Sequence, residues 1–258
     1  MITVKIPDSI MCVIPARMAS SRFYGKPLAD ILGKPMLQWV YEACRESILG
    51  SKVTVATDHT DIENFCRSAG IPVMMTSPEH RNCSERSAEV CRWVGTDYIV
   101  EIQGDEPLIL PAEINEFVKG AFSIEDFDIV TQYTDITAEQ AENPHHVKVV
   151  LGLESRALFF TRSSLPYNFK NRPHISRYKQ VGLFCWKAGS IQRFADTPVS
   201  ELEKVEDTHM LRLIENGFDV RLVYTPKFAV SVDMPEDIFL AEESLRQRFN
   251  VVGVGANQ

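Results

Sequence analysis

Short β-rich apolar runs alternate with segments of helical periodicity through the front half of this chain. The runs cover Ser9–Pro15, Lys52–Ala56, Pro72–Thr76 and Tyr98–Gln103. Because a helical segment separates each run from the next, the pattern is that of repeated βα units, which build a parallel sheet covered by helices. The sequence therefore predicts an α/β fold with a mostly parallel, Rossmann-like sheet.

Three of the intervening segments carry apolar residues at helical spacing. They run from Met36 to Cys44, over Asp61–Ala69 and over Ser84–Val94. Gly70 follows the second segment, at a position where glycine commonly ends a helix. We expect the apolar stripes of these segments to pack into the core.

The pattern changes from Phe127 onward. Shorter strand-like runs follow, separated by loops that contain Pro, Asn and His: Ile129–Tyr133, Val147–Leu151, Ala157–Thr161 and Gln180–Trp186. We interpret residues 127–200 as an inserted β-rich lobe, embedded in a single domain of residues 1–258, that holds a second substrate and contributes to dimerisation. Helical periodicity resumes at Ser200–Asn216 and Glu236–Phe249, with a strand at Val220–Tyr224 between them.

Chain length, net charge and cysteine content limit the kinds of ligand, location and metal site that we expect. With 258 residues the chain can bury one large core, and its net charge of −8 disfavours nucleic acid as the main ligand. The first residues show neither a signal peptide nor a membrane anchor, so we expect no membrane association and a cytoplasmic location. Six cysteines are scattered without any CxxC pair, which predicts reduced thiols, no disulfide and no structural zinc.

The first β-rich run leads directly into a basic turn that contains Arg17, Arg22 and Lys26. Small residues in such a turn let the backbone approach phosphate oxygens, while guanidinium and ammonium groups offset the charge of a leaving pyrophosphate. Pro27 follows Lys26 where a P-loop would have Ser or Thr, which argues against an ATPase of that type. The alternative is a solvated basic loop after an edge strand.

Two carboxylates are candidate Mg²⁺ ligands. Asp105 follows the strand-like run Tyr98–Gln103, and Asp233 lies where a second strand ends before Pro235. Magnesium usually takes only one or two protein carboxylates and completes its shell with water and phosphate oxygens. Ligands of open α/β sheets gather beyond the carboxyl ends of strands, and both Arg17 and Asp105 fall there. For Asp233, a helix N-cap is an equally good interpretation.

Several other polar residues allow two interpretations. Arg162 follows an apolar run and is either a snorkelling arginine or an anion clamp. Glu85 and Arg86 fit a salt bridge at a helix start. His145 and His146 are adjacent, so on an extended chain they point to opposite faces, and we expect them in a loop or on the lobe surface instead of at a metal.

Taken together, these segments resemble the 3-deoxy-manno-octulosonate cytidylyltransferase family over the whole chain. The matching segments are Pro15–Leu28, Ala56–Asp58, Ser84–Arg86, Gln103–Pro107, Asn143-Pro144 with Val147–Val150, Arg162, and Val232-Asp233 with Pro235–Asp237. The order and spacing of so many segments are far more specific than any one of them.

The resemblance implies a nucleotidyltransferase fold, CTP and Mg²⁺ as requirements, a small anionic acceptor and a homodimer. By position it assigns nucleotide contacts to Ala16, Arg17, Ser20, Arg22, Lys26, Arg86 and Gln103, with Arg17, Ser20, Arg22 and Lys26 at the phosphates. It places Mg²⁺ at Asp105 and Asp233, which with Arg17 and Lys26 form the catalytic set. The acceptor would face Gln103, Arg162, Gln180, Phe184 and His209.

The departures from the family pattern cluster on the acceptor side. Cys83 stands where the family commonly has Gly, Gln180 where it has His, Phe184 where it has Tyr, and His209 where it has Glu; Tyr24 replaces Pro. Each buried polar group left unmatched costs about 1 to 3 kcal/mol, so we expect the ordinary octulosonate to bind poorly.

These departures leave the acceptor open. A modified octulosonate, another sugar acid, a phosphonate or a phosphate fits the sequence. A nucleotidyltransferase for a phosphosugar or polyol phosphate, and a non-catalytic CTP-binding regulator, are the alternatives.

Overall fold

The computed structural model describes residues 4–19, 23–226 and 231–255, with side chains as far as Phe249. Its strands are β1 (Ile10–Ala16), β2 (Asp30–Ile31), β3 (Lys34–Pro35), β4 (Val53–Thr57), β5 (Val73–Met75), β6 (Tyr98–Ile102), β7 (Ile129–Asp135), β8 (Lys148–Leu151), β9 (Ala157–Thr161), β10 (Tyr178–Lys187) and β11 (Val220–Tyr224). Its α-helices are α1 (Met36–Glu46), α2 (Thr60–Ser68), α3 (Cys83–Val94), α4 (Pro111–Phe122), α5 (Ala138–Glu142), α6 (Ala188–Asp196), α7 (Glu201–Glu206), α8 (Met210–Glu215) and α9 (Asp237–Gly255). The predicted mixed α/β fold is confirmed.

The chain divides into two compact units. The turn unit, which contains the basic turn, comprises Cys12–Arg86, Ile102–Asn115 and Ala229–Gln258. The lobe unit comprises Met1–Met11, Ser87–Glu101 and Glu116–Phe228, and it includes all of residues 127–200.

The turn unit has the parallel strand arrangement that the βα pattern predicts. β1 pairs with β4 in parallel, from Cys12 opposite Val53 to Ala16 opposite Thr57, and β4 pairs with β5 in the same direction. All five residues of β4 are buried, as expected for a strand covered on both faces. The carboxyl ends of β1 and β4 therefore lie side by side.

The lobe unit is richer in antiparallel pairing. Its strands run in the order β11, β7, β10 and β6; β11 is parallel to β7, whereas β10 is antiparallel to β7. β8 and β9 form an antiparallel pair, and β8 also contacts β10. The register of β10 shifts between Val181 and Phe184, which marks a bulge in the strand that carries two predicted acceptor residues.

One predicted helix is wrong. The segment Ser200–Asn216 forms two helices, α7 and α8, instead of one. Asp207 between them has a left-handed backbone with φ of 47°, which ends the first helix. The helical periodicity continues across this residue, so the apolar pattern alone did not reveal the break.

Candidate active site

Lys26 is positioned by the turn that precedes it. Gly25 has a φ of +77°, a conformation that residues other than glycine rarely adopt, and its N–H donates to the Met18 carbonyl at 3.0 Å. A short 3₁₀ turn, Lys26–Leu28, follows, and its Pro27 is buried. The chain therefore leaves β1, closes a loop at Gly25 and presents Lys26 at the start of a fixed turn.

Asp105 is brought close to the same strand by its neighbour Gly104. A Cβ atom at Gly104 would lie 3.1 Å from the Pro15 carbonyl oxygen and 3.6 Å from a methyl group of Leu37. Only a glycine allows the backbone to approach β1 this closely without a shift. Asp105 thus follows β6 at a point pressed against the end of β1.

Asp233 is tied to Asp105 through the backbone. The N–H of Val232 donates to the carbonyl of Asp105 at 3.1 Å. The carboxylate of Asp237 accepts the N–H groups of Asp233 and Met234, both at 2.8 Å. Helix α9 begins at Asp237, so Asp233 lies too early in the chain to be its N-cap residue, as the sequence had allowed.

An apolar cluster lies beneath these segments and holds them together. It comprises the buried residues Ile31, Met36, Leu108, Val232, Ala241 and Leu245. Leu108 follows Asp105 by three residues and Val232 directly precedes Asp233, so burial of the two apolar side chains fixes both acids. The hydrophobic effect, and no local sequence signal, brings these distant segments together.

The result is a convergence of two carboxylates on one cation. The Nζ atom of Lys26 lies 2.6 Å from Asp105 Oδ2 and 3.7 Å from Asp233 Oδ1, and it donates to the Val232 carbonyl at 2.9 Å. Only 13% of the lysine side chain is exposed, against 31% and 41% for the two acids. The acids therefore lie close enough to share a single ion.

This geometry fits Mg²⁺, with the lysine ammonium as a stand-in for the metal. Two carboxylates supply the usual protein share of a magnesium shell. Among the residues that the structure describes, no group of three or more His, Cys, Asp or Glu side chains is arranged to hold a metal ion. The pair thus suits an ion whose shell is completed by phosphate and water.

The rest of the predicted phosphate turn is described in part. Ala16 is buried at the end of β1, and Arg17 directly after it is exposed. Ser20 and Arg22 lie outside the described residues. Arg17 is therefore a cation at the carboxyl end of a parallel strand, where anionic ligands of α/β folds commonly bind.

Arg86 and Gln103, predicted to face the nucleotide, have partners within the turn unit. Arg86 is buried; one guanidinium nitrogen lies 2.9 Å from Asp58 Oδ2 and another donates to the hydroxyl of Thr76. Gln103 Nε2 donates to the sulfur of Cys83 at 3.4 Å.

Asp58 is a residue whose role the sequence did not single out. It follows β4 directly, and Asp105 follows β6 by three residues; a carboxylate soon after a strand end was the available signal. At the start of α3, Glu85 Oε1 lies 2.8 Å from a terminal nitrogen of Arg81, and Arg86 contacts Asp58.

In the lobe unit, Arg162 is engaged by main-chain carbonyls. Its Nε donates to Glu206 at 2.7 Å, one terminal nitrogen donates to Pro144 at 2.9 Å, and the other donates to Asp207 at 2.8 Å. The left-handed turn at Asp207 exposes the last carbonyls of α7 to this guanidinium. Arg162 therefore links the end of α7 to the loop at Pro144.

Lys148 lies beside Arg162 and is almost fully buried. Its ammonium donates to the carbonyls of Asn143, at 2.9 Å, and Arg162. Burial lowers the pKa of Lys148, and the neighbouring Arg162 charge lowers it further. The two cations therefore donate to carbonyls of adjacent residues, Lys148 to Asn143 and Arg162 to Pro144.

The remaining predicted acceptor residues differ in exposure. Phe184 is buried on β10, and its ring centroid lies 5.6 Å from that of His209, which in turn lies 5.7 Å from Phe194. Gln180 is half-buried, and its side-chain nitrogen lies 3.5 Å from the Thr131 hydroxyl. Phe184 and His209 thus meet in an aromatic cluster of the lobe unit.

Comparison with solved structures defines the class of fold. A structure of CMP:2-keto-3-deoxy-manno-octonic acid synthetase complexed with CTP superposes with a TM-score of 0.87 at 33% identity, over 93% of this chain and 99% of the other. A cytidylyltransferase from Leptospira borgpetersenii shares the fold, with a TM-score of 0.62 at 16% identity. The fold is that of a nucleotidyltransferase.

Sequence comparison defines the family. The cytidylyltransferase profile matches residues 11–224. The 3-deoxy-manno-octulosonate cytidylyltransferase of Geobacter sulfurreducens is 40% identical over 92% of this chain and its own full length, and that of Acidobacterium capsulatum is 35% identical over 93% of this chain and 98% of its own length. This chain belongs to the 3-deoxy-manno-octulosonate cytidylyltransferase family. Among its described residues, no helix combines the length and apolar character needed to cross a bilayer.

Proposed function

We propose that this protein transfers CMP from CTP to a sugar acid of the 3-deoxy-manno-octulosonate class and releases pyrophosphate. The observation that carries the proposal is the convergence of Asp105 and Asp233 on one cation beside the basic turn. Family membership supports the choice of CTP, and the names of the relatives support the choice of acceptor.

In the proposed reaction an acceptor hydroxyl oxygen attacks the α-phosphorus of CTP. The bond from this phosphorus to the oxygen that bridges to the β-phosphorus breaks, pyrophosphate leaves with that electron pair, and the hydroxyl proton passes to solvent. The residues of the chain act by position and charge, since phosphoryl transfer needs little covalent chemistry from the protein. Arg17 and Lys26 offset the charge of the leaving pyrophosphate.

Asp105 and Asp233 would hold Mg²⁺, which supplies charge neutralisation at the triphosphate when bound. The Gly104 approach to β1 and the Val232–Asp105 hydrogen bond keep the two carboxylates in place. Preorganisation of this kind lowers the reorganisation needed when the substrate binds.

For the acceptor, the departures from the family pattern at Gln180, Phe184 and His209 support a sugar acid other than the unmodified octulosonate. An imidazole, a phenol hydroxyl and a carboxylate of the family pattern are replaced there. A modified octulosonate is compatible with these departures because it retains the anionic carboxylate while changing the hydroxyl groups that need partners.

The experiment is a pyrophosphate-release assay with Mg²⁺, in which each of CTP, UTP, ATP and GTP is combined with the octulosonate, modified octulosonates, phosphosugars and phosphonates. Release with CTP and a sugar acid, together with a CMP-sugar product detected by mass spectrometry, is the expected result. CTP binding without product from any acceptor would support a regulator instead, and product from a phosphosugar would move the protein to the other enzyme class.

The proposal also covers the oligomeric state and the cellular location of the enzyme. We propose a homodimer in the cytoplasm, with residues 127–200 as the acceptor-binding and dimerisation lobe. Sedimentation equilibrium of the purified protein tests the dimer directly.

A further inference from the structure

The lysine ammonium lies where a metal ion at the two acids would also have to bind. Lys26 Nζ contacts Asp105 Oδ2 at 2.6 Å and lies within 4 Å of Asp233 Oδ1. Its third contact is an oxygen as well, the Val232 carbonyl at 2.9 Å. Three oxygens from two segments thus surround one positive charge.

Lys26 has strong physical reasons to stay there. Its side chain is mostly buried, and a charge-assisted hydrogen bond to a carboxylate is stronger than a neutral one. Removing the ammonium would leave two neighbouring carboxylates without that compensation, which is unfavourable because like charges repel. The same two carboxylates attract a divalent ion more strongly than a single ammonium.

A divalent ion and this ammonium cannot both occupy the same place. Magnesium binds carboxylate oxygens at about 2.0 to 2.1 Å. Two cations that share one oxygen at such distances repel each other strongly where solvent screening is limited. Binding of the ion therefore requires Lys26 to move away from Asp105 Oδ2.

We propose that Lys26 competes with the divalent ion for Asp105 and Asp233, so that metal binding displaces the ammonium from the carboxylate pair. This inference rests on the metal site of the proposed function. Displacement frees the ammonium for the phosphates of the nucleotide that arrives with the ion. Because coupling between two binding events is reciprocal, a phosphate ligand for Lys26 also strengthens metal binding.

In the first test, the protein is titrated with Mn²⁺ in the absence of nucleotide. Electron paramagnetic resonance measures the concentration of free Mn²⁺ at each step. Lys26→Met should bind Mn²⁺ about tenfold more tightly than the wild type, the scale set by one charge-assisted hydrogen bond. Lys34→Met is the control, since Lys34 pairs with Glu42 on α1 in the same unit and should leave the affinity unchanged. Equal or weaker binding by Lys26→Met would overturn the inference.

The second test uses the wild-type protein and does not depend on how a variant folds. Acetylation of Lys26 by an amine-reactive reagent is followed by peptide mass spectrometry with and without Mg²⁺, and Lys34 serves as the internal reference. Displacement predicts at least a several-fold faster reaction of Lys26 on addition of Mg²⁺. An unchanged or slower rate relative to Lys34 would contradict it.

The two tests separate this inference from the proposed function. If Lys26→Met shows no tighter Mn²⁺ binding while the wild type makes a CMP-sugar, the competition fails and the activity stands. If the competition is observed but no CMP-sugar forms with any acceptor, the proposed function fails and the competition stands.

Discussion

The predicted functional residues of the turn unit and those of the lobe unit are held in different ways. In the turn unit, Lys26 faces two acids, Asp105 and Asp233, and a single ammonium offsets only one of their two formal charges. In the lobe unit, each side-chain nitrogen of Arg162 donates to a main-chain carbonyl, and Phe184 is buried against the ring of His209. The first arrangement is suited to exchange, whereas the second holds the fold together.

The largest expected effect tests the turn unit. Asp105→Asn should lower turnover by roughly a hundredfold or more, because it removes one of the two charges available to a metal ion. Steady-state pyrophosphate release measures the effect. Asp61→Asn, on the exposed first turn of α2, is the matched control and should retain normal activity. Near-normal turnover of Asp105→Asn would show that the convergence has no catalytic role.

The next effect tests the structural role of Arg162. Arg162→Lys should lower the free energy of unfolding by about 2 kcal/mol, because one ammonium cannot replace three separately directed guanidinium donors. Denaturant unfolding gives this value. The exposed Arg67→Lys on α2 should change it by less than about 0.5 kcal/mol. Unchanged stability with a raised KM for the acceptor would identify Arg162 as an anion clamp instead.

A smaller effect tests whether Gln180 of the lobe unit affects binding of the acceptor. Gln180→His should lower the KM for the ordinary octulosonate about tenfold, because it restores an imidazole that the family pattern contains and so removes an unmatched group. Initial rates over a range of acceptor concentrations provide the measurement. Gln247→His, on the exposed side of α9, is the control. If the wild type already has a low KM for the octulosonate, the pocket is not altered.

The smallest effect tests how strictly the basic turn is shaped. Gly25→Ala should cost about 1 kcal/mol of stability, because its positive φ is unfavourable for alanine while its nearest new contact, 3.6 Å from Met18, is ordinary. Thermal unfolding measures the change. Gly189→Ala in α6 has no atom within 4 Å and no positive φ, so it should be neutral or stabilising. An equal response of both variants would show that the turn tolerates other conformations.

Much of the fold could be predicted from the spacing of apolar and β-branched residues along the chain. The β-branched runs of β1, β4 and β6 and the apolar stripe of α1 follow directly from periodicity. The helix break at Asp207 did not, since any residue that adopts a left-handed conformation interrupts a helix without changing its apolar pattern. Helix α4 was missed although Pro111 at its first position and Ile114, Phe117 and Val118 were a readable signal.

The individual residues of the site could be predicted from the sequence, but their arrangement in space could not. Strand ends and residue types pointed to Asp105 and Asp233 separately, whereas their meeting depends on the apolar cluster around Leu108 and Val232. The Asp58 partner of Arg86 and the carbonyl partners of Arg162 come from different segments of the chain, and no spacing rule links them. Tertiary packing, which a single sequence does not display, decides these contacts.

The carbonyl that Lys26 contacts lies 206 residues further along the chain, immediately before the second acid. A ribosome therefore has to translate most of the protein before the second acid exists. A polypeptide that ends between these two acids carries the basic turn and Asp105 without Asp233. Such a fragment would lack both the Val232 carbonyl and the Asp233 carboxylate that surround Lys26 in the finished protein.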